Sequence, residues 1–395
     1  MRILAVTNLY PSPYDPIRAP FNRQQFRALA ALHPLRVIAP VLWTEELAGR
    51  RAGAPALPQG RRLMCDGITV DHPRYWYPPR VLRGRYGHCF RASIRRTFRR
   101  VVAEFRPDVV LAAWAYPDGW AAVRLGREVG LPVVVKVHGC DVLWGLREHP
   151  ARIRRTVEGL RGAHLVLAVS RDLARNVADF GVHPDRIGVV YNGVDSDQFY
   201  PGPQDLARTR VGLAGDLPNL LFVGSLVPVK GLDYLLSACA RLTRNGFRFR
   251  CHLVGSGPLR SELEGQAAAL GLQGIVVFHG PKPHDEIPDW FRAADAFVLP
   301  SRSEGVPGVL VEAMACGTRY VATRVGGVPE VAGLGDGQLV CPGDAGQLAD
   351  AIREVLARPA PAPGLRAGTF SYADSAAHLA RHLQTVVNGR GSVPS

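Results

Sequence analysis

The chain has 395 residues, which is too long for one ordinary hydrophobic core and predicts about two domains. Hydrophobic residues make up 47% and charged residues 21%, as in soluble globular proteins, and no apolar run approaches the roughly 18 residues of a membrane span. The net charge of +14 is uneven: residues 1–200 hold 30 Lys and Arg against 17 Asp and Glu, whereas 201–395 hold 18 against 17. The apolar start is too short for a secretory signal, so we expect a cytoplasmic protein with a basic N-terminal half.

Cysteine and lysine usage narrows the chemistry further. The seven cysteines are scattered and contain no Cys-x-x-Cys pair, which argues against a disulfide framework and against a zinc site. Only three of the 48 basic residues are lysine, namely Lys136, Lys230 and Lys282. Since arginine and lysine are not interchangeable, these positions hint at places where a compact ammonium is needed.

Apolar strands alternate with helical stretches through the first half. The pattern predicts strands at 2–7, 35–39, 108–113, 132–137, 164–169 and 187–191. It predicts helices near 21–32, 88–105, 118–129, 148–161 and 171–180, with a surface loop at 48–62. This alternation is typical of a doubly wound parallel sheet.

Turn residues and two prolines between Asn192 and Pro203 interrupt the alternation, which then restarts. The second half predicts strands at 219–223, 249–254, 275–278, 296–299, 319–323 and 338–340 and helices near 231–244, 258–270, 285–293, 308–315 and 346–357. We therefore predict an α/β protein with two Rossmann-like domains, 1–198 and 199–372, and a cleft between them. Residues 373–395 are expected to form a C-terminal helix that packs back on the N-terminal domain, followed by a flexible tail.

The stretch Ala296–Gly317 predicts a buried strand, a glycine-bearing turn and a helix. A helix that begins beside Gly305–Gly308 aims its unpaired N–H groups into the turn, where an anion or a sugar hydroxyl can bind. The helix is apolar apart from Glu312, so this carboxylate needs a partner or an opening, and ligand binding is favoured over a solvated glutamate. Glu304, in the turn, is a second candidate.

Ligands of open parallel sheets gather at the carboxyl ends of the strands, so the other turns matter too. After the first strand of the second half, Gly224 and Ser225 lead to Lys230 at a helix start, which suits a diphosphate. The alternative is a tight turn with a solvated lysine. Gly257, after the next strand, belongs to a fragment of a dinucleotide fingerprint that lacks its third glycine.

Two further pairs of polar residues have competing interpretations. His138 and Asp141 follow a strand and place an imidazole and a carboxylate at the predicted cleft, although a lone histidine is more often structural. Asp195 and Asp197 have the spacing of a two-carboxylate metal site, but they lie in a turn, where carboxylates usually bond local backbone. We expect no required metal.

Together these motifs resemble those of glycosyltransferase family 4, whose members have the GT-B fold, and the resemblance covers nearly the whole chain. It is carried by Glu304-Gly-Val-Pro-Gly-Val-Leu-Val-Glu312 with the following Ala-Met-Ala-Cys-Gly, by Gly326-Gly-Val-Pro-Glu330, Val229-Lys230-Gly231, His138-Gly-Cys-Asp141 and Ser170, and by Asn192-Gly-Val-Asp195. The resemblance implies a retaining transferase that moves a sugar from a UDP- or GDP-linked donor to a hydroxyl, without a metal or other cofactor. A lipid-linked or polysaccharide precursor is the expected acceptor.

The resemblance also implies roles for individual residues. Glu312 is expected to bind the ribose and Glu304 the donor sugar, while Lys230 pairs with the diphosphate and His138 lies near the transferred sugar. The leaving phosphate can accept the acceptor's proton, so neither glutamate is needed as a nucleophile. The implied donor-binding residues are Gly224, Ser225, Lys230, Gly257, Pro281, Lys282, Glu304, Gly305, Val306, Pro307, Gly308 and Glu312, and the implied catalytic residues are His138, Lys230 and Glu304.

The chain departs from the family at two places. Members commonly carry an arginine where Ser225 stands, and a Gly-Gly loop after the first strand, where this chain has Tyr10–Phe21. We hypothesise that Arg18 or Arg23 supplies the missing charge, and with Asp141 we assign both to the acceptor side. A non-catalytic homologue that binds nucleotide sugars is an alternative, as is a Rossmann-type oxidoreductase, for which the full fingerprint is missing. A nucleic-acid partner is not expected, because no docking motif accompanies the charge.

The basic segment 80–106 has two interpretations. One helical face carries Phe90, Ile94, Phe98, Val101 and Phe105, and another carries five arginines. Such a helix can lie on an anionic membrane, which would make the protein peripheral at the inner face. Equally, its apolar face can pack on the sheet while its arginines are solvated.

Overall fold

The computed structural model of the protein describes residues 1–79, 83–144, 150–213, 215–358 and 370–389. The chain forms two compact units: unit 1 contains Met1–Gly193 and the C-terminal helix, and unit 2 is Val194–Ser371. The predicted junction after residue 198 lies a few residues beyond this division. Residues 80–82 of the basic segment and the part of the predicted tail beyond 389 lie outside the described residues.

Unit 1 is built on a largely parallel sheet. The strands of unit 1 are β1 (Ile3–Val6), β2 (Leu35–Ile38), β3 (Val41–Leu42), β4 (Arg62–Cys65), β5 (Ile68–Asp71), β6 (Arg74–Tyr75), β7 (Val109–Ala112), β8 (Val133–Val137), β9 (Leu165–Ala168) and β10 (Ile187–Val189). Of these, β3 and β6 pair with each other outside the main sheet. Its helices are α1 (Pro20–Leu32), α2 (Trp43–Arg51), α3 (Tyr86–Phe105), α4 (Trp120–Glu128), α5 (Pro150–Gly162), α6 (Arg171–Asp179) and, last in the chain, α14 (Tyr372–Asn388).

Unit 2 repeats the scheme. Its strands are β11 (Asn219–Val223), β12 (Arg250–Val254), β13 (Val276–Gly280), β14 (Ala296–Leu299), β15 (Tyr320–Thr323) and β16 (Gly337–Val340). Its helices are α7 (Gln204–Val211), α8 (Leu232–Arg244), α9 (Arg260–Ala269), α10 (Ile287–Ala293), α11 (Gly308–Ala315), α12 (Val328–Ala332) and α13 (Ala345–Ala357). The predicted alternation is confirmed in both halves, while α7 and α12 were missed.

In the described residues, unit 1 has one eight-stranded sheet of order β10-β9-β8-β7-β1-β2-β5-β4, and only its β4–β5 pair is antiparallel. The central strands β1, β7, β8 and β9 are buried along their whole length, as expected for a parallel sheet covered by helices on both faces. One of these helices is α14, which packs on α1 through a hydrogen bond from Gln25 Nε2 to Ser375 Oγ at 2.9 Å. The end of the chain therefore completes the core of unit 1.

The predicted surface loop at 48–62 is wrong at both ends. Helix α2 continues to Arg51, and β4 begins at Arg62 as the first strand of a hairpin. The hairpin turn is Asp66-Gly67, with φ of 49° and 77°. Two positive φ values in a two-residue connection are what the right-handed twist of paired strands favours, and Asp-Gly supplies them at low cost.

The apolar face of α3 lies in the core of unit 1, which is the second of the two interpretations of the basic segment. Phe90, Ile94, Phe98 and Val101 are fully buried. On the outer side, Arg91, Arg95 and Arg99 all contact the carboxylate of Glu128. The apolar face of this helix is therefore not available to a lipid bilayer. None of the described helices has the length and apolar character of a membrane span.

Glu46 ties α2 to the rest of unit 1. Its carboxylate accepts two hydrogen bonds from Arg74, at 2.7 and 2.8 Å, and two from Arg61, at 3.0 and 3.1 Å. The side chain of Glu46 is only 7% exposed, so the two guanidiniums replace water around it. Arg74, and then Arg61, lower the pKa of Glu46 to about 2.

We predict that Glu46→Gln lowers the free energy of unfolding of unit 1 by about 2–3 kcal/mol at pH 7, because two partly buried guanidiniums lose their charged partner. The contribution is present above the ordinary pKa of a glutamate and is lost as pH falls through the lowered one, so the difference should shrink between pH 4.5 and pH 2. Urea unfolding followed by tryptophan fluorescence measures it, since five of the six tryptophans precede residue 193. Asp179→Asn, at an exposed position of α6 in unit 1, is the control; equal effects of both changes at pH 7 would contradict the prediction.

Candidate active site

Unit 2 has a topological switch point between β11 and β14. Within this unit the strand order β13-β12-β11-β14-β15-β16 corresponds to 3-2-1-4-5-6, so the chain moves outward in opposite directions from the two central strands. In doubly wound sheets, the carboxyl ends of the strands at such a point open a crevice where nucleotides bind. Lys230 follows β11 and Glu304 follows β14, so both predicted residues lie at the switch point.

Lys230 and Glu304 form an ion pair. Lys230 Nζ is 2.6 Å from Glu304 Oε1, and the same oxygen accepts a hydrogen bond from Ser301 Oγ at 2.6 Å. The two side chains are 20% and 10% exposed, so the pair is shielded from bulk water yet reachable from the surface. Shielding strengthens its electrostatic attraction. The sequence predicted both residues as donor-site groups but did not predict that they contact each other.

Two glycines let three turns meet around this ion pair. Gly231 has a φ of 62°, and a Cβ there would lie 2.1 Å from the carbonyl oxygen of Pro300. Gly326 has a φ of 50°, and a Cβ there would lie 1.9 Å from the carbonyl oxygen of Glu304. A side chain at either position would therefore displace the backbone that carries the pair.

Arg302 fixes the turn that carries Lys230. Its backbone N–H donates to Val229 O at 2.7 Å, and its guanidinium donates to Pro228 O at 2.5 Å and to Asp233 Oδ2 at 2.7 Å. The turns after β11 and β14 are thereby bonded together. Sequence reasoning missed this residue, because one more arginine carries no signal in a chain with so many.

The carboxylate of Glu312 contacts a histidine, and its side chain is partly exposed to solvent. The residues on either side of it along α11 are buried, whereas the Glu312 side chain is 21% exposed. Its Oε1 lies 3.6 Å from Nε2 of His284, in the loop after β13, and the carboxylate raises the pKa of His284. The ring of Phe199 packs edge-on against the imidazole. His284 was not predicted from the sequence, where nothing links it to Glu312.

The turn between Glu304 and α11 is built from predicted donor-site residues. Val306 and Pro307 are buried and Gly308 is the first residue of α11. The carbonyl oxygen of Gly305 accepts a hydrogen bond from the N–H of Gly327 at 2.7 Å. Since the first N–H groups of a helix have no partner within it, the start of α11 can donate hydrogen bonds to a ligand beside this turn.

The other predicted donor-site residues of unit 2 lie in three adjoining loops. Ser225 is exposed directly after Gly224, and the N–H of Leu226 donates to Ser256 O at 2.9 Å, which brings the loop of Gly257 alongside. After β13, Pro281 is exposed, and the ammonium of Lys282 lies 5.7 Å from the centre of the Trp290 ring. The loops therefore hold these residues at the carboxyl edge of one sheet.

In unit 1, His138 follows β8 and its ring is enclosed by aromatic side chains. Phe21 and Trp114 lie 4.8 and 6.1 Å from it, centre to centre. Both ring nitrogens are buried and make no hydrogen bond with any described residue. Burial, assisted by the charge of Lys136, holds the pKa of His138 well below its usual value. A neutral imidazole with unused nitrogens can accept from or donate to a ligand.

Asp141 holds the loop that carries His138. Its carboxylate accepts from the backbone N–H groups of Ala115, His138 and Gly139 at 2.9 to 3.0 Å. Burial raises the pKa of Asp141 to about 6. These contacts make Asp141 part of the loop's framework.

Sequence reasoning missed Asn8 and Asp118, which lie at the switch point of unit 1, between β1 and β7. Asp118 Oδ2 accepts from the N–H of Asn8 at 2.9 Å. The other carboxyl oxygen of Asp118 and the amide oxygen of Asn8 are buried, with no partner among the described residues. Burial raises the pKa of Asp118 to about 7, so it can donate as well as accept near neutral pH. Buried polar atoms left unpaired are places where a ligand hydroxyl can bind.

Arg18 and Arg23 have carboxylate partners within unit 1. Arg18 contacts Asp15 at 3.1 Å and Glu45 at 2.7 Å, and Arg23 makes a bidentate pair with Asp66 at 2.7 and 2.9 Å. These ion pairs give both arginines a role in fixing the loop after β1 and the start of α1. That either one supplies charge to a donor stays a hypothesis.

Asp195 and Asp197 form a local turn. The side chain of Asp195 accepts from the N–H of Asp197 at 3.1 Å, and its carbonyl oxygen accepts from the N–H groups of Gln198 and Phe199. Among the described residues, no group of three or more His, Cys, Asp or Glu side chains could hold a metal ion.

The comparisons with protein families match both halves of the chain. A model described as "Glycosyltransferase Family 4" matches residues 21–198, and one described as "Glycosyl transferases group 1" matches residues 204–367. D-inositol 3-phosphate glycosyltransferase 1 of Catenulispora acidiphila is 33% identical over 349 residues, which cover 82% of this chain and 80% of that protein. The putative teichuronic acid biosynthesis glycosyltransferase TuaC of Bacillus subtilis is 30% identical over 364 residues, or 89% of this chain and 88% of that protein.

Solved structures share the fold. Sucrose-phosphate synthase from Thermosynechococcus elongatus superposes with a TM-score of 0.74 at 22% identity, covering 99% of this chain and 98% of that one. HepE of Anabaena, solved in complex with UDP-glucose, gives a TM-score of 0.70 at 21% identity and covers both chains fully. This is the two-domain GT-B architecture, and the relatives named here give no support to the oxidoreductase alternative. With both halves matched in order and curated relatives covered over most of their length, the chain belongs to glycosyltransferase family 4 and is a glycosyltransferase.

Proposed function

We propose that unit 2 binds a nucleotide diphosphate sugar, and that the enzyme transfers its hexose to a hydroxyl acceptor. The contact between Lys230 and Glu304 at the switch point is the observation that carries this proposal. It places a cation and a carboxylate side by side, next to the turn that begins α11. The Lys230 ammonium can pair with a diphosphate, and the Glu304 carboxylate, together with the N–H groups of the turn, can bind sugar hydroxyls. We favour UDP over GDP as the nucleotide of the donor, since HepE was solved with UDP-glucose.

In the proposed reaction the Lys230 ammonium exchanges partners. In the structure it contacts Glu304, and the diphosphate of a bound donor competes for it. Glu304, still bonded to Ser301, then has lone pairs free for the sugar hydroxyls. As the bond between the anomeric carbon and the phosphate oxygen breaks, negative charge grows on the phosphate and the nearby ammonium stabilises it.

We infer retention of configuration without a metal or a protein nucleophile. The acceptor oxygen bonds to the anomeric carbon on the face that the diphosphate leaves, and the acceptor's proton passes to the departing phosphate oxygen. Glu304 suits the role of a hydroxyl acceptor better than that of a nucleophile, because its Oε1 keeps the hydrogen bond from Ser301 after the diphosphate has taken Lys230. Lys230 and the α11 turn would supply the positive potential that a metal supplies in other transferases.

For the acceptor, the buried unpaired atoms at the carboxyl edge of unit 1 suit a polyhydroxylated compound. The relatives named above are called inositol phosphate and teichuronic acid glycosyltransferases, which favours a cell-envelope polysaccharide or glycolipid precursor. A lipid-linked precursor would bring the enzyme to an anionic membrane surface. The outward arginines of α3 would make that contact by charge alone, because its apolar face is buried.

A donor panel tests this proposal directly. Purified protein would be incubated with UDP- and GDP-linked hexoses, and release of free UDP or GDP would be measured. We expect turnover with one base and one or a few sugars. Absence of release, with no binding of UDP or GDP by calorimetry, would overturn the proposal.

We predict that Lys230→Ala lowers turnover by roughly two to three orders of magnitude, because the departing diphosphate loses its ammonium. Steady-state kinetics with the donor identified by the panel measures this. Arg244→Ala is the matched control, since it removes a cation from the other end of α8 and should leave turnover unchanged. Turnover of Lys230→Ala within about threefold of wild type would exclude this role for the lysine.

We predict that Glu312→Ala weakens UDP binding by about tenfold to a hundredfold, the usual loss for one charged hydrogen bond. Calorimetry with UDP and with 2′,3′-dideoxy-UDP forms a double cycle, in which the variant should lose nothing further when the ribose hydroxyls are removed. Glu262→Ala, at an exposed position of α9, is the control. Independent, additive losses would show that Glu312 does not bind the ribose.

A further inference from the structure

The buried ammonium of Lys136 belongs to a closed ring of hydrogen bonds. Lys136 Nζ donates to Gln25 Oε1 at 2.6 Å and to Asn192 Oδ1 at 2.7 Å. Gln25 Nε2 donates to Ser375 Oγ at 2.9 Å, and Ser375 Oγ donates to Tyr191 O at 2.5 Å. Because Tyr191 and Asn192 are consecutive, four hydrogen bonds and one stretch of backbone complete the ring.

The ring includes residues of unit 1 that lie next to its two chain crossings, the points at which the chain leaves this unit and returns to it. The chain leaves unit 1 after Gly193, directly after Asn192, and returns at Tyr372, three residues before Ser375. Beyond the ring the two passing segments are bonded to each other, since the N–H of Val194 donates to Phe370 O at 2.7 Å. The first crossing is therefore bonded directly to the ammonium through Asn192, and the second is linked to it through Ser375 and Gln25.

Packing alone does not explain a lysine at this position. The residue is 1% exposed, and its two hydrogen-bond partners in the described part of the chain are neutral amide oxygens. Burying an ammonium without a carboxylate is costly, and an apolar side chain would fill the same space more cheaply. Burial accordingly lowers the pKa of Lys136 to about 7. Two acceptors on opposite elements suit a compact ammonium, whereas a planar guanidinium with five donors would leave several unpaired.

The ring and His138 are held by the same two elements. Lys136 and His138 are two residues apart along the β8 strand and its extension, so their side chains leave on the same face. Gln25 and Phe21 are four residues apart on α1, so they also share a face. Gln25 bonds to Lys136, and the ring of Phe21 lies 4.8 Å from that of His138. A displacement of α1 at Gln25 would therefore move the aromatic cover of His138.

We propose that Lys136 is a positioning residue for sugar transfer, whose ammonium fastens both chain crossings to the strand that leads to His138. This rests on the proposed function only in taking His138 to face the transferred sugar. Loss of the ammonium frees the crossings and loosens the cover of His138. The donor residues of unit 2 are not members of the ring, so binding of the nucleotide is unaffected.

Lys136→Met and Lys136→Arg test the proposal, with Ser375→Ala as a milder change that opens the ring at another point. The rate of hydrogen exchange measured by mass spectrometry should rise about tenfold or more in peptides covering 188–194 and 371–378 and stay unchanged in β1.

In steady-state kinetics with the donor found by the panel, kcat should fall about tenfold or more while KM for the donor and the Kd for UDP change less than about twofold. Lys136→Arg should behave like Lys136→Met. Thr156→Val is the control, since it removes the hydrogen bond of a buried hydroxyl on α5, away from the crossings.

Wild-type kcat in Lys136→Met and Ser375→Ala would overturn the proposal. So would faster exchange spread evenly through unit 1, because that would mean general destabilisation. If Lys136→Met does not fold, Ser375→Ala alone decides, by local exchange and kcat together. If the wild-type protein neither binds UDP or GDP nor releases them from any donor, the proposed function fails. If hydrogen exchange at the two crossings is unchanged in Lys136→Met, the proposal that Lys136 holds these crossings fails, whatever the function.

Discussion

The ion pair between Lys230 and Glu304 is the constraint on which the rest of unit 2 depends. Its two members come from different strand ends, so the turns after β11 and β14 must approach each other closely. Gly231 permits that approach and Arg302 bonds the two turns together, while Gly326 lets the turn after β15 reach Glu304. The wider sheet serves to bring β11 and β14 side by side, because only at the switch point do two such turns flank an open space.

Unit 1 uses the same topology for a different kind of site. At the carboxyl edge of its sheet, Asn8 and Asp118 have buried oxygens with no partner among the described residues, and His138 has an uncharged imidazole. Such groups suit neutral hydroxyls rather than phosphates. The chain's basic surplus does not contradict this, because arginines of α3 and of the loop after β1 have carboxylate partners on the surface of unit 1. The difference between the two switch points is consistent with a division between donor and acceptor.

The fold followed from the sequence because both units alternate long apolar strands with helices, a local pattern that packing does not override. What was missed has specific causes. The hairpin of β4 and β5 has a strand with alternate residues exposed, so hydrophobicity gave little sign of it, although Asp66-Gly67 is a strong turn signal. Strands β3 and β6 are only two residues long. For the site, motif residues could be assigned roles one by one, but partners such as His284 or Arg302 arise from tertiary contacts that no spacing in the sequence encodes. The three lysines show this contrast. Their rarity is visible in the sequence, whereas the hydrogen-bonded ring of Lys136 forms only because α14 packs on unit 1.

The central claim is that the Lys230 ammonium leaves Glu304 for the donor diphosphate. The most direct measurement is a crystal structure of the enzyme with a UDP-hexose or GDP-hexose that it turns over, at a resolution that separates side-chain positions. We expect Lys230 Nζ within hydrogen-bond distance of a diphosphate oxygen, with Glu304 on the sugar and Glu312 on the ribose. A donor bound elsewhere, or a diphosphate at the switch point with Lys230 still on Glu304, would contradict it.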